Sequence, residues 1–343
     1  MATLPLVAQT TVTVPCAADN TLYETIFGDA SNGAGPALFI GLNAFGSFRR
    51  AVLKFDVAAA VPAGASILTA RLTMNVNKAN PTQTQPVAIT AHRLTVSWGE
   101  GTSSTGPTTG GGGALASVGD ATWLHRFSPA TLWTNPGGDF AVAPSLTAAM
   151  PLLGPFTSAH SQKAAADVQG WLDAPASNFG WVLRTAEVAS RTARRLDSRE
   201  STSVGARPTL SITYLLPGQN GMFGTGCRVG AGAMTAAFVG APVGGTTIQI
   251  VKTNGTPSSL GADFFALALN PAGTLLGSGC TAYLPLGEVL LGGTFPTDAA
   301  GGATTSLLLP PGFPGYLVQC QAAVLATNPL GYVVSNAALT VLQ

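Results

Sequence analysis

Charge is what this chain has least of: Asp, Glu, Lys and Arg make up 9% of its 343 residues, against roughly 25% in ordinary soluble domains. The balance of sixteen basic and fifteen acidic residues leaves a net charge of +1, which argues against a global field for nucleic acid. No uninterrupted apolar run approaches the roughly 18 residues that a membrane-spanning helix needs. Histidine is confined to His92, His125 and His160. They lie far apart, no HExxH or GxSxG occurs, and glycine-rich pieces such as GTGCRVGAG fit neither a P-loop nor a dinucleotide fingerprint. An enzyme is therefore not expected. The four cysteines, Cys16, Cys227, Cys280 and Cys320, form no CxxC pair and have no nearby histidine, which argues against zinc or a redox motif. Disulfides are the better reading. Cys227 with Cys280 is favoured because both lie in a charge-poor region beside glycines, leaving Cys16 and Cys320 paired with each other or free.

What is abundant is glycine, 42 residues, with Ser and Thr crowded between apolar runs, a composition suited to an extracellular or surface β-protein. The length suits two domains. Fourteen of the sixteen basic and twelve of the fifteen acidic residues precede residue 216, and the later part holds only Arg228, Lys252, Asp263, Glu288 and Asp298. The chemical change coincides with LPGQNGMFGTG, residues 216–226, which reads as a linker between domains at 1–215 and 227–343. The start, MATLPLVAQTTVTVP, lacks a basic n-region and reads as a mature terminus from which a leader has been removed. Secretion is the corresponding expectation.

The segment FRRAVLKFDVAAAVPAGASILTARLTMNV, from Phe48 to Val76, writes two alternating strands around a Pro-Gly turn. Ala51, Leu53, Phe55 and Val57 fall on one side of the first, against Arg50, Lys54 and Asp56; Ala70, Leu72, Met74 and Val76 oppose Arg71, Thr73, Asn75 and Asn77 in the second. Further alternation occurs at 11–14, 37–42, 87–94, 180–185 and 208–214, and again in six stretches after Cys227. In the QCQ strand, Cys320 is placed inward with Val318 and Ala322. One short helix is expected around 164–172, with Val168, Trp171 and Leu172 on its inner side and Asp167 in water. TSSTGPTTGGGG, residues 102–113, reads as a flexible loop. The fold class is all-β, with two β-sandwich domains.

DNTLYET, RRAVLKFDV, VPAGASILTARLTM, AITAHRLTVSWGEG, GDATW, ADVQGWL, FGWVLRT, RRLDSRES and ARPTLSITY, in this order, make residues 10–215 resemble the DNRLRE-domain family, secreted bacterial β-jelly rolls related to alginate-recognising carbohydrate-binding modules. The resemblance implies an N-terminal jelly roll that binds an acidic polysaccharide or cell-surface glycan. The C-terminal part resembles charge-poor sandwiches, immunoglobulin-like or jelly-roll-like, of secreted planctomycete-type proteins, and no activity travels with that likeness.

A groove for an acidic glycan needs arginines that grip carboxylates, amides and planar stacking groups. The strand faces offer Arg50, Lys54, Arg71, Asn75 and His92, and a second basic cluster runs Arg184, Arg191, Arg194, Arg195 and Arg199; the plainer alternative pairs these with Asp56, Glu187, Asp197 and Glu200. Trp98, Trp171 and Trp181 are assigned to the core, whereas Trp123 and Trp133 flank a loop as stacking candidates. A structural calcium held by Asp19, Asp29 and Asn32 is the one cofactor the sequence suggests. Glu100 with Asp120 is the one carboxylate pair open to a glycosidase reading. Two functions follow: a secreted non-catalytic carbohydrate-binding protein, or a subunit of an extracellular filament or surface layer in which the arm LPLVAQTTVTV adds a strand to a neighbour's sheet.

Overall fold

A computed structural model describes residues 9–106, 111–189, 191–230 and 232–343. Strands account for 45% of the chain and helix for 7%, so the protein is all-β. No helix among the described residues is long and apolar enough to cross a membrane. The chain divides into two compact units. The N-terminal unit comprises residues 12–61 and 70–212; the C-terminal unit gathers 62–69 and 213–343 with the described residues before Val12. Residues 62–69, part of a hairpin that the sequence assigns to the first domain, fall in the C-terminal unit because Leu68 is buried there with Leu215, Leu269, Ala337, Leu339 and Val341.

The strands of the first part are β1 (Thr10–Tyr23), β2 (Ala30–Ser31), β3 (Ala37–Leu42), β4 (Phe48–Phe55), β5 (Ser66–Ala79), β6 (Val87–Arg93), β7 (Ala114–Leu115), β8 (His125–Phe127), β9 (Thr131–Leu132), β10 (Leu146–Met150), β11 (Gly154–Thr157), β12 (Trp181–Thr185), β13 (Arg194–Asp197) and β14 (Thr209–Leu215). Their main sheet runs β1-β14-β5-β13-β3-β4-β12-β6-β10, with β11 on β5, and β1 also pairs β4. The described part of the N-terminal arm, from Thr10, is thus β1 and runs beside β14 of its own chain; residues 1–8 lie outside the described residues.

β5 keeps its predicted alternation: Ala70, Leu72, Met74 and Val76 are each 1% exposed, while Arg71, Thr73, Asn75 and Asn77 are half-buried. β4 does not. It is a central strand with β3, β12 and β1 as partners, so Arg49, Arg50 and Val52 are buried along with Ala51, Leu53 and Phe55. Asp56 then caps a helical turn, α1 (Val57–Ala60), through the Ala59 N–H, where the sequence reads a continued strand. The predicted helix is α2 (Gln162–Asp173), capped by Ser161. Val168, Trp171 and Leu172 face inward as expected, but Asp167 is also buried, because its carboxylate accepts bonds from the Trp181 indole at 2.9 Å and the Ser145 hydroxyl. The flanks of the 102–113 loop are held rather than loose: Thr102 N donates to Asp120 at 2.8 Å and Thr105 N to Asn32 at 3.0 Å. Its residues 107–110 lie outside the described residues.

In the C-terminal unit, strands 220–223, 337–341, 317–325, 260–266 and 290–296 lie side by side, and strand 332–334 joins 317–325. A second sheet orders 235–239, 247–253 and 303–308. Ala236, Phe238, Ile248 and Ile250 of one sheet meet Val318, Cys320 and Ala338 of the other in a common core. Cys320 is fully buried as expected, yet Gln319 and Gln321 on the opposite face are buried too. Gln321 Nε2 donates to the carbonyls of Thr281 and Ser335, so the strand is covered on both faces.

Candidate functional site

β13 lies between β3 and β5, and the pairing places Arg195 opposite both Phe39 and Lys78, and Arg194 opposite Ile40 and Ala79. Directly opposed residues of antiparallel strands share a face. The row Ile40–Arg194 is fully buried, so the row Phe39–Arg195–Lys78 belongs to the other face. Between Arg195 and Leu196 the register with β5 slips, leaving Asn77 as the bulged residue. Its Oδ1 accepts from Arg195 Nε at 2.6 Å and its Nδ2 donates to Asp197 at 2.9 Å. A bulge re-aims a side chain in this way, here turning the Asn77 amide toward Arg195 and Asp197. Lys78 and Arg195, like charges directly opposed, cost the sheet stability.

This row forms one wall of a cleft of about 320 Å³ that also takes in Asn43, Arg49, Asn80, Arg191 and Arg194. Arg49, Lys78, Arg191 and Arg195 therefore bring four cations to its lining, Arg194 being fully buried on the opposite face, and among the described residues no carboxylate lines it. Arg49 forms part of the floor, 5.0 Å above the Tyr23 ring and donating to the Phe48 carbonyl at 2.7 Å. Burial lowers its pKa, opposed by Tyr23 and Glu24. Arg194 spends its terminal nitrogens on the carbonyls of Thr192 and Gln85, while its Nε is buried without a partner. Burial lowers its pKa also. Arg191 and Lys78 are exposed. In the cleft lining, Asn43 Oδ1 accepts from the N–H groups of Phe45 and Ser47, folding a turn that holds Phe45 93% exposed. Arg49 and Phe45 escape the sequence reading: a buried arginine looks like any strand residue, and only the NAFGS turn signal hints at an aromatic held in water.

Of the residues that the sequence proposes for binding, Arg191, Arg194 and Arg195 line this cleft, Arg194 from its buried face, and the others do not. Arg50 forms a two-pronged ion pair with Glu187 at 2.7 and 2.9 Å, donates to the Gly137 carbonyl and sits 4.8 Å from the Trp123 ring. Arg184 pairs with the same Glu187. His92 is buried, its ring nitrogens bonded to Ala141 O and Thr90 Oγ1, and burial lowers its pKa. Arg71 donates to Ser158 O, Asn75 to Asp197, and Lys54 is a half-buried β4 residue opposite Ala18. The expected stacking pair is a correction: Trp123 and Trp133 are 8% and 4% exposed and belong to a core with Leu22, Val52 and Leu94, because the loops around them fold inward.

The expected calcium group also assembles differently. Asn32 is buried and holds its own turn, donating to Ala37 O and accepting from Thr105. Asp29 does not join Asp19. Asp19 instead meets Glu100 and Glu200, with one ligand atom from each within 4.8 Å of the others. Glu100 accepts from Asp19 N at 2.8 Å, and Asp19 accepts from Arg199 N at 2.7 Å. Arg199 also pairs with Glu200 at 2.8 Å and Glu100 at 3.3 Å. Burial, then Glu200, pushes the Asp19 carboxyl well above its usual range. Asp120, the other half of the glycosidase reading, braces its own loop by accepting from Thr102, Ser103 and Ser117.

The disulfide joins Cys227 to Cys280, while Cys16 and Cys320 are free and buried. No family model matches the chain, and no curated protein matches it either.

Proposed function

We propose that the protein is a secreted, non-catalytic carbohydrate-binding protein whose N-terminal unit takes an acidic polysaccharide in the cleft between β5, β13 and the β3–β4 turn. The carrying observation is that Arg49, Lys78, Arg191 and Arg195 line one cleft without a lining carboxylate. Carboxylates on a polysaccharide accept forked hydrogen bonds from guanidinium groups, and the exposed Phe45, in the turn that supplies Asn43 and Ala44 to the cleft, offers a ring for a sugar face. Relief of the Lys78–Arg195 opposition by a bound anion favours the charged ligand over a neutral one. The sequence resemblance to alginate-recognising modules points to the same class, and the disulfide suits an oxidising compartment. Affinity electrophoresis in gels containing a polyuronate tests this. Retardation should be lost with Lys78→Ala/Arg191→Ala and with Arg195→Ala, and kept with Arg71→Ala, which lies outside the cleft; equal mobility of all forms with and without polyuronate would refute it.

The strand 290–296 favours a second reading, a structural subunit. It ends its sheet, bears no charge, and holds Leu290 and Leu291 66% and 69% exposed, an edge suited to strand addition by another copy. Light scattering across a concentration series separates the two, since only the subunit assembles.

A further inference from the structure

We propose that Asp19, Glu100 and Glu200 hold a calcium ion that ties together β1, the segment after Trp98 and the segment after β13. Ligand atoms of the three carboxylates lie within 4.8 Å of one another, a spread that one ion can span at the 2.3–2.6 Å typical of calcium–oxygen bonds. The cluster alone would not make a site; its unsatisfied oxygens do. Asp19 is 0% exposed, and its Oδ1 is buried with no hydrogen-bond partner, as is Oε2 of Glu200. Buried acceptors are almost always satisfied, because leaving one bare forfeits its hydration. The protein donors available are already committed to other oxygens: Asp19 N to Glu100, Arg199 N to Asp19 Oδ2, and the Arg199 side chain to Glu100 and Glu200 Oε1. Arg207 donates to the Ser201 carbonyl.

Charge gives the same answer. Three carboxylates face Arg199, with Arg207 acting on Glu200 as a lesser influence, so negative charge is left over for a cation to offset. All the donors are carboxylate oxygens, which select a hard cation over zinc or copper, and calcium's tolerance of irregular geometry suits ligands from three separate segments better than the strict octahedron of magnesium. The competing occupant is a proton on Asp19, which would satisfy its Oδ1 and take one negative charge from the cluster.

The test uses the full chain, stripped with EDTA and titrated with calcium chloride by calorimetry, with metal content measured after equilibrium dialysis and thermal melting followed in parallel. One calcium ion per chain is expected, binding more tightly than magnesium and raising the melting temperature. Glu100→Gln and Glu200→Gln should each weaken calcium binding about tenfold or more and remove the calcium-dependent rise in melting temperature while keeping the far-ultraviolet spectrum. If either variant does not fold, the other decides. Absence of stoichiometric calcium at millimolar concentration, equal affinity for magnesium, or unchanged calcium affinity in the folded variants would overturn the assignment.

Discussion

Replacing Lys252 by Met should destabilise the C-terminal unit more than almost any other single change. Lys252 is 1% exposed and Asp263 2%, and their side chains meet at 2.9 Å across the two sheets of that unit. Thr305 donates to the same Asp263 oxygen at 2.6 Å, the Cys320 thiol approaches the other at 3.7 Å, and the ammonium lies 4.1 Å from the centre of the Phe295 ring. Burial pushes the Lys252 pKa down, with Asp263 pulling against it, so the ammonium depends on this one carboxylate. Removing the cation strands a buried carboxylate, a loss of about 3–5 kcal/mol, to which the lost ring contact adds about 1 kcal/mol. Typical domains hold only 5–15 kcal/mol in all. The double replacement Lys252→Met/Asp263→Leu removes both charges and should recover most of the loss, since buried pairs roughly break even against apolar side chains of similar volume. Urea unfolding followed by far-ultraviolet circular dichroism, with the disulfide intact, measures both. A single variant within about 1 kcal/mol of wild type, or a double variant no better than the single, would refute the reasoning.

Reducing Cys227–Cys280, or replacing both by Ser, reopens a loop with a sequence separation of 53 and should lower stability by about 4 kcal/mol from loop entropy, read as a fall in the urea midpoint. Gly180→Ala should cost more than about 2 kcal/mol, because Gly180 has φ +77° and an added Cβ would lie 1.9 Å from the Leu53 carbonyl oxygen; a normal melting temperature would contradict it. His92 is a base whose folded pKa is lowered by burial, so below about pH 6.5 the unfolded chain takes up the proton first and stability falls with pH. The urea midpoint should drop between pH 7.5 and pH 5, and His92→Gln should shrink that drop; an unchanged drop would dismiss the group.

The all-β class, β5 and the core of α2 were legible because each rests on a local period: alternation at 70–77, and the spacing of Val168, Trp171 and Leu172. Cys227–Cys280 was legible from chemistry and neighbourhood. What local pattern cannot carry is burial on a second face. β4 lies between other strands, so Arg50 turns into an interior ion pair with Glu187, 137 residues away, although its position in the alternation marks it as solvent-facing. Asp167 is misread for the same reason, its partner Trp181 arriving from another strand. Arg195 was legible as a basic residue, but its neighbours in the cleft, Lys78 and Arg49, come from strands distant in sequence and meet it through register alone. The grouping of Asp19 with Glu100 and Glu200 is likewise a product of topology.

On the proposed function, the basic cleft recognises carboxylates on a polysaccharide. Titration calorimetry of the whole protein against an oligouronate and against the same oligosaccharide with its carboxyl groups reduced to alcohols tests that most directly. Binding to the uronate alone is expected, weakened as salt is raised and lost in Lys78→Ala/Arg191→Ala. Equal affinity for the two sugars, or uronate binding that survives loss of the cleft cations, would contradict it.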